Sequence, residues 1–280
     1  MKIICLLAML CFVFCGTGAK DLGALSREEQ IVFNEIQIFS GVIAMEEKGK
    51  MSVLIDSEPT ESHPKVIDDE SFEKLMIFKD RITILQISSN LMTSKSYNKI
   101  GEFTRLKELV FSDAKNFDDD CAPMLRKLVN LERFAVTGDN VKDIKSTGKT
   151  LKEISGLKKL NEVCIESNYI VDEDIKYLAD LPNLVTLVVS GKGITDKGIE
   201  MLAAQNHPKL KELDLSRTNL TDKGMDYLKK IKSLSSLYVI GTKVTEKKER
   251  EVEKDIRSSV GGDPNFLVVS QPIGEGKIEE

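Results

Sequence analysis

The 280-residue sequence carries 40 lysines and arginines against 45 aspartates and glutamates, a net charge of −5 at pH 7. Without a basic excess to neutralise phosphates, this composition argues against a nucleic-acid-binding protein. Beyond the apolar N-terminal stretch, no segment is long and apolar enough to be predicted to cross a bilayer.

The N-terminal segment has the pattern of a secretory signal peptide. Lys2 precedes an apolar run over residues 3–15, and Thr17 and Ala19 are small residues at the two positions that signal peptidase requires. We therefore predict a signal peptide over residues 1–19 and a secreted or periplasmic mature protein. An uncleaved anchor is the alternative, which the shortness of the apolar run disfavours.

An N-terminal capping helix is predicted within residues 20–50. Ser26 and Glu29 have the spacing of a capping box, in which each side chain bonds the other residue's backbone N–H. The apolar residues that follow give the helix a broad apolar face, and it is expected to end near Gly49. This helix is predicted to cover the open end of the fold; an adaptor helix that recruits a partner is the alternative.

The remaining chain is built from repeats. Residues 51–81 have the pattern of a degenerate first repeat with an insertion, and seven clearer repeats follow over residues 82–257. The seven repeats begin at Ile82, Leu106, Leu131, Leu160, Leu184, Leu210 and Leu234. Self-similarity at this period is typical of units that cannot bury their apolar edge alone and must stack.

The repeat starting at Leu210 illustrates the predicted structure of one unit. Leu213 and Leu215 flank a polar residue, the alternation of a half-buried strand. Apolar residues then recur every third position from residue 225, which predicts a helix. Asp222 lies where the turn meets that helix, so it is predicted to be the N-cap. Each unit is thus a strand, a turn and a helix.

These anchors resemble the leucine-rich repeat family, L-x-x-L-x-L-x-x-(N/T/C)-x-(L/I/V). Residues 194–199 (ITDKGI) and 220–225 (LTDKGM) are similar to its subclass with I-T-D-x-G turns, found in F-box-type and bacterial secreted proteins. The resemblance implies an α/β horseshoe solenoid with parallel strands on the concave face and helices on the convex face. The ninth repeat position departs from the family pattern at Lys192, which predicts an irregular inner ladder.

Residues 258–280 are predicted to form a C-terminal cap strand and a mobile tail. Residues 265–269 (NFLVV) follow a Gly-Gly-Asp-Pro turn and have the composition of a strand, which we expect to pair with the last repeat. The tail begins at Gln271 and is rich in glycine and glutamate.

Few residues are candidates for chemistry. Cys121 and Cys164 are predicted on a helix and a strand two repeats apart, too far for a disulfide, so two free thiols are expected. His63 and His207 are predicted to be surface residues, several repeats apart. The aspartates at residues 118–120 favour a helix N-terminus over a calcium loop. No catalytic or metal-binding motif stands out, and no cofactor is predicted.

The predicted concave face therefore carries the candidate binding site. Repeat positions 3, 5 and 7 point away from the core, and two acidic clusters fall on them. The candidate site residues are Glu162, Glu166, Thr186, Val188, Glu212, Asp214 and Tyr238. Tyrosine among mixed polar residues suits protein recognition; a solvated face without any ligand is the alternative.

These observations predict an exported, non-enzymatic protein–protein interaction module. Its concave strands would bind a protein or peptide, and the acidic clusters favour a basic one. A structural component of an envelope or extracellular assembly is the alternative, motivated by the signal peptide and the apolar N-terminal helix. A secreted effector acting as an adaptor is a more distant possibility, which only the family resemblance suggests.

Overall fold

The computed structural model describes residues 25–37, 39, 41–45, 49–56, 58–59, 61, 64–88, 91–113, 115–138, 143–258 and 263–270. The predicted signal peptide, His63 and the predicted mobile tail lie outside these residues.

One open sheet of ten strands runs through the molecule in chain order. Strands β2 to β10 are parallel, and β1 is antiparallel to β2. The strands are β1 (Gly41–Met45), β2 (Met51–Ile55), β3 (Ile82–Ile87), β4 (Glu108–Ser112), β5 (Arg133–Thr137), β6 (Glu162–Glu166), β7 (Thr186–Ser190), β8 (Glu212–Asp214), β9 (Ser236–Tyr238) and β10 (Leu267–Val269). Strand order that follows chain order confirms the predicted stacking of units.

Helices connect successive strands along the convex side. The α-helices are α1 (Arg27–Ile36), α2 (Asp69–Leu75), α3 (Ser94–Lys99), α4 (Gly148–Ile154), α5 (Asp196–Ala204), α6 (Asp222–Leu228) and α7 (Glu246–Ser258). The 3₁₀ helices are Met76–Phe78, Ile100–Glu102, Ala122–Lys127 and Asp172–Leu178. Neighbouring helices pack on one another, as α5 does on α6.

The predicted strand register is confirmed by burial. Leu213 and Leu215 are buried in the core, while Asp214 between them is partly exposed on the opposite face. The residues that begin the seven predicted repeats are all buried. They belong to one continuous core that reaches from Leu25 to Phe266, so each unit contributes a layer to a shared interior.

The turn before each helix differs from the prediction. Thr221, not Asp222, is the N-cap of α6, because its hydroxyl already accepts from Lys223 N at 3.3 Å. The carboxylate of Asp222 instead reaches into the next unit, where Thr245 N and Oγ1 donate to it at 2.8 and 2.9 Å. The prediction that Asp222 caps its own helix was therefore wrong.

This contact recurs and forms a ladder of aspartates between units. The other pairs are Asp69–Thr93, Asp119–Thr147, Asp172–Thr195 and Asp196–Thr221. The glycine of the turn leaves room for the preceding aspartate, since a Cβ on Gly198 would overlap Asp172 Oδ1. Ser96 holds the equivalent position beside Asp69, to which its hydroxyl donates at 2.5 Å. Each part of the T-D-x-G sequence thus has a packing role.

An added element lies at each end of the repeats, although the N-terminal helix is shorter than predicted. The capping box of Ser26 and Glu29 is confirmed, with bonds of 3.2 and 2.7 Å. Helix α1 ends at Ile36, because the β-branched and apolar residues of β1 pair with β2 instead of extending the helix to Gly49. Ile36 is only 2% exposed, so α1 packs on the core. At the other end β10 pairs with β9, as predicted.

The cysteines and His207 are all buried. Cys121 and Cys164 are free thiols, as predicted, and burial raises the pKa of Cys121 to about 11. The prediction that His207 lies on the surface was wrong: it is 5% exposed, and burial lowers its pKa. Its Nε2 lies 2.9 Å from Gln205 Oε1, and Ser233 Oγ donates to its carbonyl at 3.2 Å. The ring therefore fills space between two units.

Candidate functional site

The concave face consists of three rows of side chains that run across the strands. Residues paired in register on adjacent parallel strands stack beside one another, so each row has one residue from each unit. The outer row contains Glu108, Arg133, Glu162, Thr186, Glu212 and Ser236. The middle row contains Val110, Ala135, Cys164, Val188, Asp214 and Tyr238. Glu166 and Ser190 are paired in the third row.

Arg133 divides the predicted acidic surface. Its guanidinium lies between two carboxylates, 3.2 Å from Glu108 Oε2 and 3.4 Å from Glu162 Oε1. The Arg133 side chain is only 12% exposed, so this network is largely shielded from solvent. Burial nevertheless raises the pKa of Glu162. Glu162 is thus paired within the protein and does not form a free acidic cluster with Glu166.

The middle row is closed in the first half of the face. Ala135 and Cys164 are fully buried and Val188 is 6% exposed, and they form a small apolar cluster with Val110, separate from the main core. Val188, predicted as a binding residue, is thus almost fully buried within this apolar strip.

Glu166 on β6 and Asp214 on β8 are partly buried, and Glu166 accepts a hydrogen bond from the backbone of Gly138. Burial raises the pKa of Glu166 and of Asp214, and the charge of Arg217 lowers both only in part. Arg217 makes no salt bridge with either carboxylate within the described ranges. Asp214 Oδ1 accepts a hydrogen bond from Ser216 N at 2.8 Å. The ionised form of each carboxylate is therefore less well hydrated in the folded protein than in water, which disfavours its charge.

The other predicted site residues lie on the same side of Arg133. Thr186 Oγ1 donates to Glu212 Oε2 at 3.4 Å, which joins two of them directly. Tyr238 is paired in register with Asp214 and is partly exposed. Burial, and then the charges of Glu212 and Asp214, raises the pKa of Tyr238. The structure therefore brings Thr186, Glu212, Asp214 and Tyr238 together and adds Glu166 from the third row.

Two residues of this surface escaped sequence analysis. Arg133 lies at a predicted concave position, and its stacking between two glutamates could have been found by aligning the outer row. Arg217 lies one residue beyond the predicted positions, in a left-handed backbone conformation with φ of 61°. Arg217 brings its positive charge near Glu166 and Asp214 from this left-handed backbone conformation, which the sequence does not indicate for an arginine.

The concave positions carry a strong charge bias. From Ile84 to Ile240, repeat positions 3, 5 and 7 hold five carboxylates, one arginine and no lysine, a net charge of −4. The whole chain has 40 lysines and arginines, so basic residues are concentrated elsewhere. Such a face attracts cationic partners and repels acidic ones.

The comparison with known families agrees with this architecture. The family model described as "Leucine Rich repeat" matches residues 206–229, which contain β8 and most of the turn and helix that follow it. The fold is a leucine-rich repeat solenoid. Among curated proteins, no sequence matches this chain.

Solved structures with a similar chain path include bacterial leucine-rich repeat proteins. An internalin (inlF) from Listeria monocytogenes is 14% identical with a TM-score of 0.46, over 71% of this chain and 64% of that one. Internalin C2 from the same species is 19% identical with a TM-score of 0.42, over 70% and 80%. A protein from Bacteroides fragilis is 15% identical with a TM-score of 0.42, over 71% and 70%. This chain thus spans less than two thirds of the first internalin.

The part of the chain that the structure describes offers neither a metal site nor a membrane-spanning helix. No group of histidine, cysteine, aspartate and glutamate side chains there has the arrangement of a metal site. No helix there is long and apolar enough to cross a membrane. The aspartates at residues 118–120 include Asp119, whose carboxylate accepts from Thr147 and Thr150, so it belongs to the ladder between units.

Proposed function

We propose that the mature protein is an exported, non-enzymatic protein–protein interaction module that binds a basic protein or peptide on its concave face. The observation that carries this proposal is the net charge of −4 at the concave positions, with Glu166 and Asp214 partly buried and not ion-paired within the described ranges. A cation from a partner would relieve the electrostatic cost of these partly buried carboxylates.

The binding surface is expected from the end of β6 to β9. In the first half of the face Arg133 is paired with Glu108 and Glu162, and the middle row there is a buried apolar strip. In the second half the concave side chains are mostly short, such as Ser216 and Ser236, and Tyr238 is partly exposed. We therefore propose Glu166, Thr186, Glu212, Asp214 and Tyr238 as the binding residues. Glu162 and Val188 would border this surface without contributing a free polar group.

Export and repeat subclass are part of the proposal. The signal-peptide pattern over residues 1–19 supports a secreted or periplasmic location. The threonine, aspartate and glycine of each turn have separate structural roles in Thr195, Asp196 and Gly198, which supports the subclass with I-T-D-x-G turns.

A charge-reversal experiment tests this proposal. The variant Glu166→Lys, Glu212→Lys, Asp214→Lys removes the acidic character of β6 to β8. The control Glu70→Lys, Glu173→Lys, Glu200→Lys makes the same charge change on exposed helical positions. Wild type, variant and control would each be used to capture proteins from the medium or periplasm of the source cells. Partners that bind wild type and control but not the concave variant are expected; equal capture by all three contradicts a concave site.

Assembly into a larger structure is the second candidate. It is favoured by Ile31, which is 54% exposed on α1 at the first end of the solenoid. Light scattering on the mature chain checks it: assembly requires an oligomer that Ile31→Asp dissociates. Ile36 and Phe39 are unsuitable for this test, because both pack on the core and polar residues there would disturb the cap.

A further inference from the structure

The space between Glu166 and Asp214 lies above a single strand. Glu166 is on β6 and Asp214 on β8, so the two residues lie on opposite sides of β7; they are offset by two residues along the strands, because their partners on β7 are Ser190 and Val188. Adjacent strands are about 4.8 Å apart, which puts the two backbones about 10 Å apart. Strand β7 offers Ser190 beside Glu166 and Val188 beside Asp214. We call these four residues the cation pocket.

Ser190 supplies an independent indication that this pocket receives a ligand. Its side chain is 3% exposed, and its Oγ has no hydrogen-bond partner among the residues that the structure describes. Alternation along β7 directs Ser190 to the same face as Thr186 and Val188. A buried hydroxyl without a partner is unfavourable and uncommon in folded proteins. Because this oxygen is shielded from solvent, a ligand that reaches it must move neighbouring side chains aside.

The hydrogen-bonding character of the pocket selects the ligand. When they are ionised, both carboxylates can accept hydrogen bonds but cannot donate them, and the serine oxygen can accept as well. A group with several N–H donors and no acceptor satisfies all three, which describes the guanidinium of arginine and the ammonium of lysine. Val188 is only 6% exposed, so the aliphatic stem of either side chain would contact its methyl groups once neighbouring side chains have moved aside. Arg217, the nearby cation of the chain, makes no salt bridge that would satisfy this need within the described ranges.

We propose that the cation pocket binds an arginine or lysine side chain of a peptide segment that lies across the concave face from the end of β6 to β9. This rests on the proposed function and names the chemistry of the partner. The side-chain cation donates to Glu166, Asp214 and Ser190 Oγ, while Glu212 and Tyr238 contact the rest of the segment.

Direct binding to defined peptides tests the pocket. The probes are hexa-arginine, hexa-lysine and hexa-citrulline, the last being a neutral analogue of arginine of nearly the same shape. Calorimetry should detect binding of at least one cationic peptide and none of the citrulline peptide. Glu166→Gln and Asp214→Asn should each weaken that binding by about tenfold, as expected for a lost hydrogen bond to a charged group. Ser190→Ala should weaken it by about threefold.

Glu162→Gln is the matched control, because Glu162 is a partly buried concave glutamate that is already paired with Arg133. It should change the affinity for the cationic peptides by less than about twofold. Equal weakening by Glu162→Gln and Asp214→Asn would mean that only the overall charge matters, and would overturn the pocket. Absence of binding by both cationic peptides would overturn it as well. Thermal melts would show that the variants remain folded.

A random peptide library separates this inference from the proposed function. Ligands selected on the wild type should be enriched in arginine or lysine and should be lost on Asp214→Asn. Ligands without that enrichment that are still lost on Tyr238→Ala would overturn the cation pocket and leave concave binding intact. Ligands that are unaffected by any concave variant would overturn both.

Discussion

The aspartate ladder makes a quantitative prediction about stability, best tested at Asp172. Its carboxylate accepts from Thr195 N at 2.7 Å and Thr195 Oγ1 at 2.6 Å, and the residue is buried. Asp172→Ala removes both acceptors and leaves the partly buried backbone N–H of Thr195 without this partner. Hydrogen bonds to charged groups contribute about 1.5–3 kcal/mol each, and two that share one carboxylate are not fully additive. We therefore expect a loss of about 3 kcal/mol in the free energy of unfolding.

The neighbouring glycine turns this prediction into a double-mutant cycle. A Cβ on Gly198 would overlap Asp172 Oδ1, so Gly198→Ala in the wild type should cost about 1–3 kcal/mol. With Asp172→Ala in place, the methyl group enters the vacated space. The same Gly198→Ala change should then be neutral, or stabilising by about 1 kcal/mol through helix propensity. The double variant should therefore be more stable than the sum of the two single variants.

Urea unfolding followed by circular dichroism measures all four proteins of the cycle. Asp180→Ala is the control, because Asp180 is exposed and should change the free energy by less than about 0.5 kcal/mol. An Asp172→Ala cost as small as that of the control would refute the role of the ladder. Strict additivity of the two substitutions would refute the proposed contact between Asp172 and residue 198.

Three further predictions concern the concave face and the core. Burial raises the folded-state pKa of Glu166 above its unfolded value. The free energy of unfolding that is lost by ionising Glu166 in the folded protein is therefore zero below the unfolded pKa and grows as pH rises through the folded pKa. Glu166→Gln should be more stable than wild type in urea at pH 7, with the advantage shrinking towards pH 4. Leu213→Ala and Leu215→Ala should each lower the unfolding free energy by about 2–5 kcal/mol, whereas Asp214→Ala should cost little; equal costs would contradict the strand register. Cys121, with its pKa raised to about 11, should resist a thiol reagent at pH 8 until urea unfolds the chain; fast labelling of the folded protein would contradict its burial.

The strands and their register were predictable because the alternation of apolar and polar residues along a strand indicates which side chains face the core. Leu213 and Leu215 flank a polar residue in the sequence and occupy the core in the structure. The end of α1 was not predictable in the same way. The apolar residues of β1 are compatible with either a helical face or an edge strand, and only their pairing with β2 decides between them.

The site was predicted less completely, because its chemistry depends on contacts between different units. Glu162 and Glu166 are equivalent in the sequence, yet one is paired with Arg133 and the other is not. Asp222 was assigned to its own helix, although its partner Thr245 lies 23 residues away. Val188 was assigned to the binding surface, yet it is only 6% exposed within a small apolar cluster. The alternation along a strand predicts on which face of the sheet a side chain lies. It does not predict which side chains of other repeats it contacts there.

The affinity of the hexa-arginine peptide for Asp214→Asn, measured against Glu162→Gln, tests the central claim most directly. Each substitution removes one negative charge from the concave face, and only Asp214 belongs to the cation pocket. Weakening of about tenfold for Asp214→Asn, with less than about twofold for Glu162→Gln, is the predicted result. Equal affinities for the two variants would contradict a concave pocket that recognises a cationic side chain.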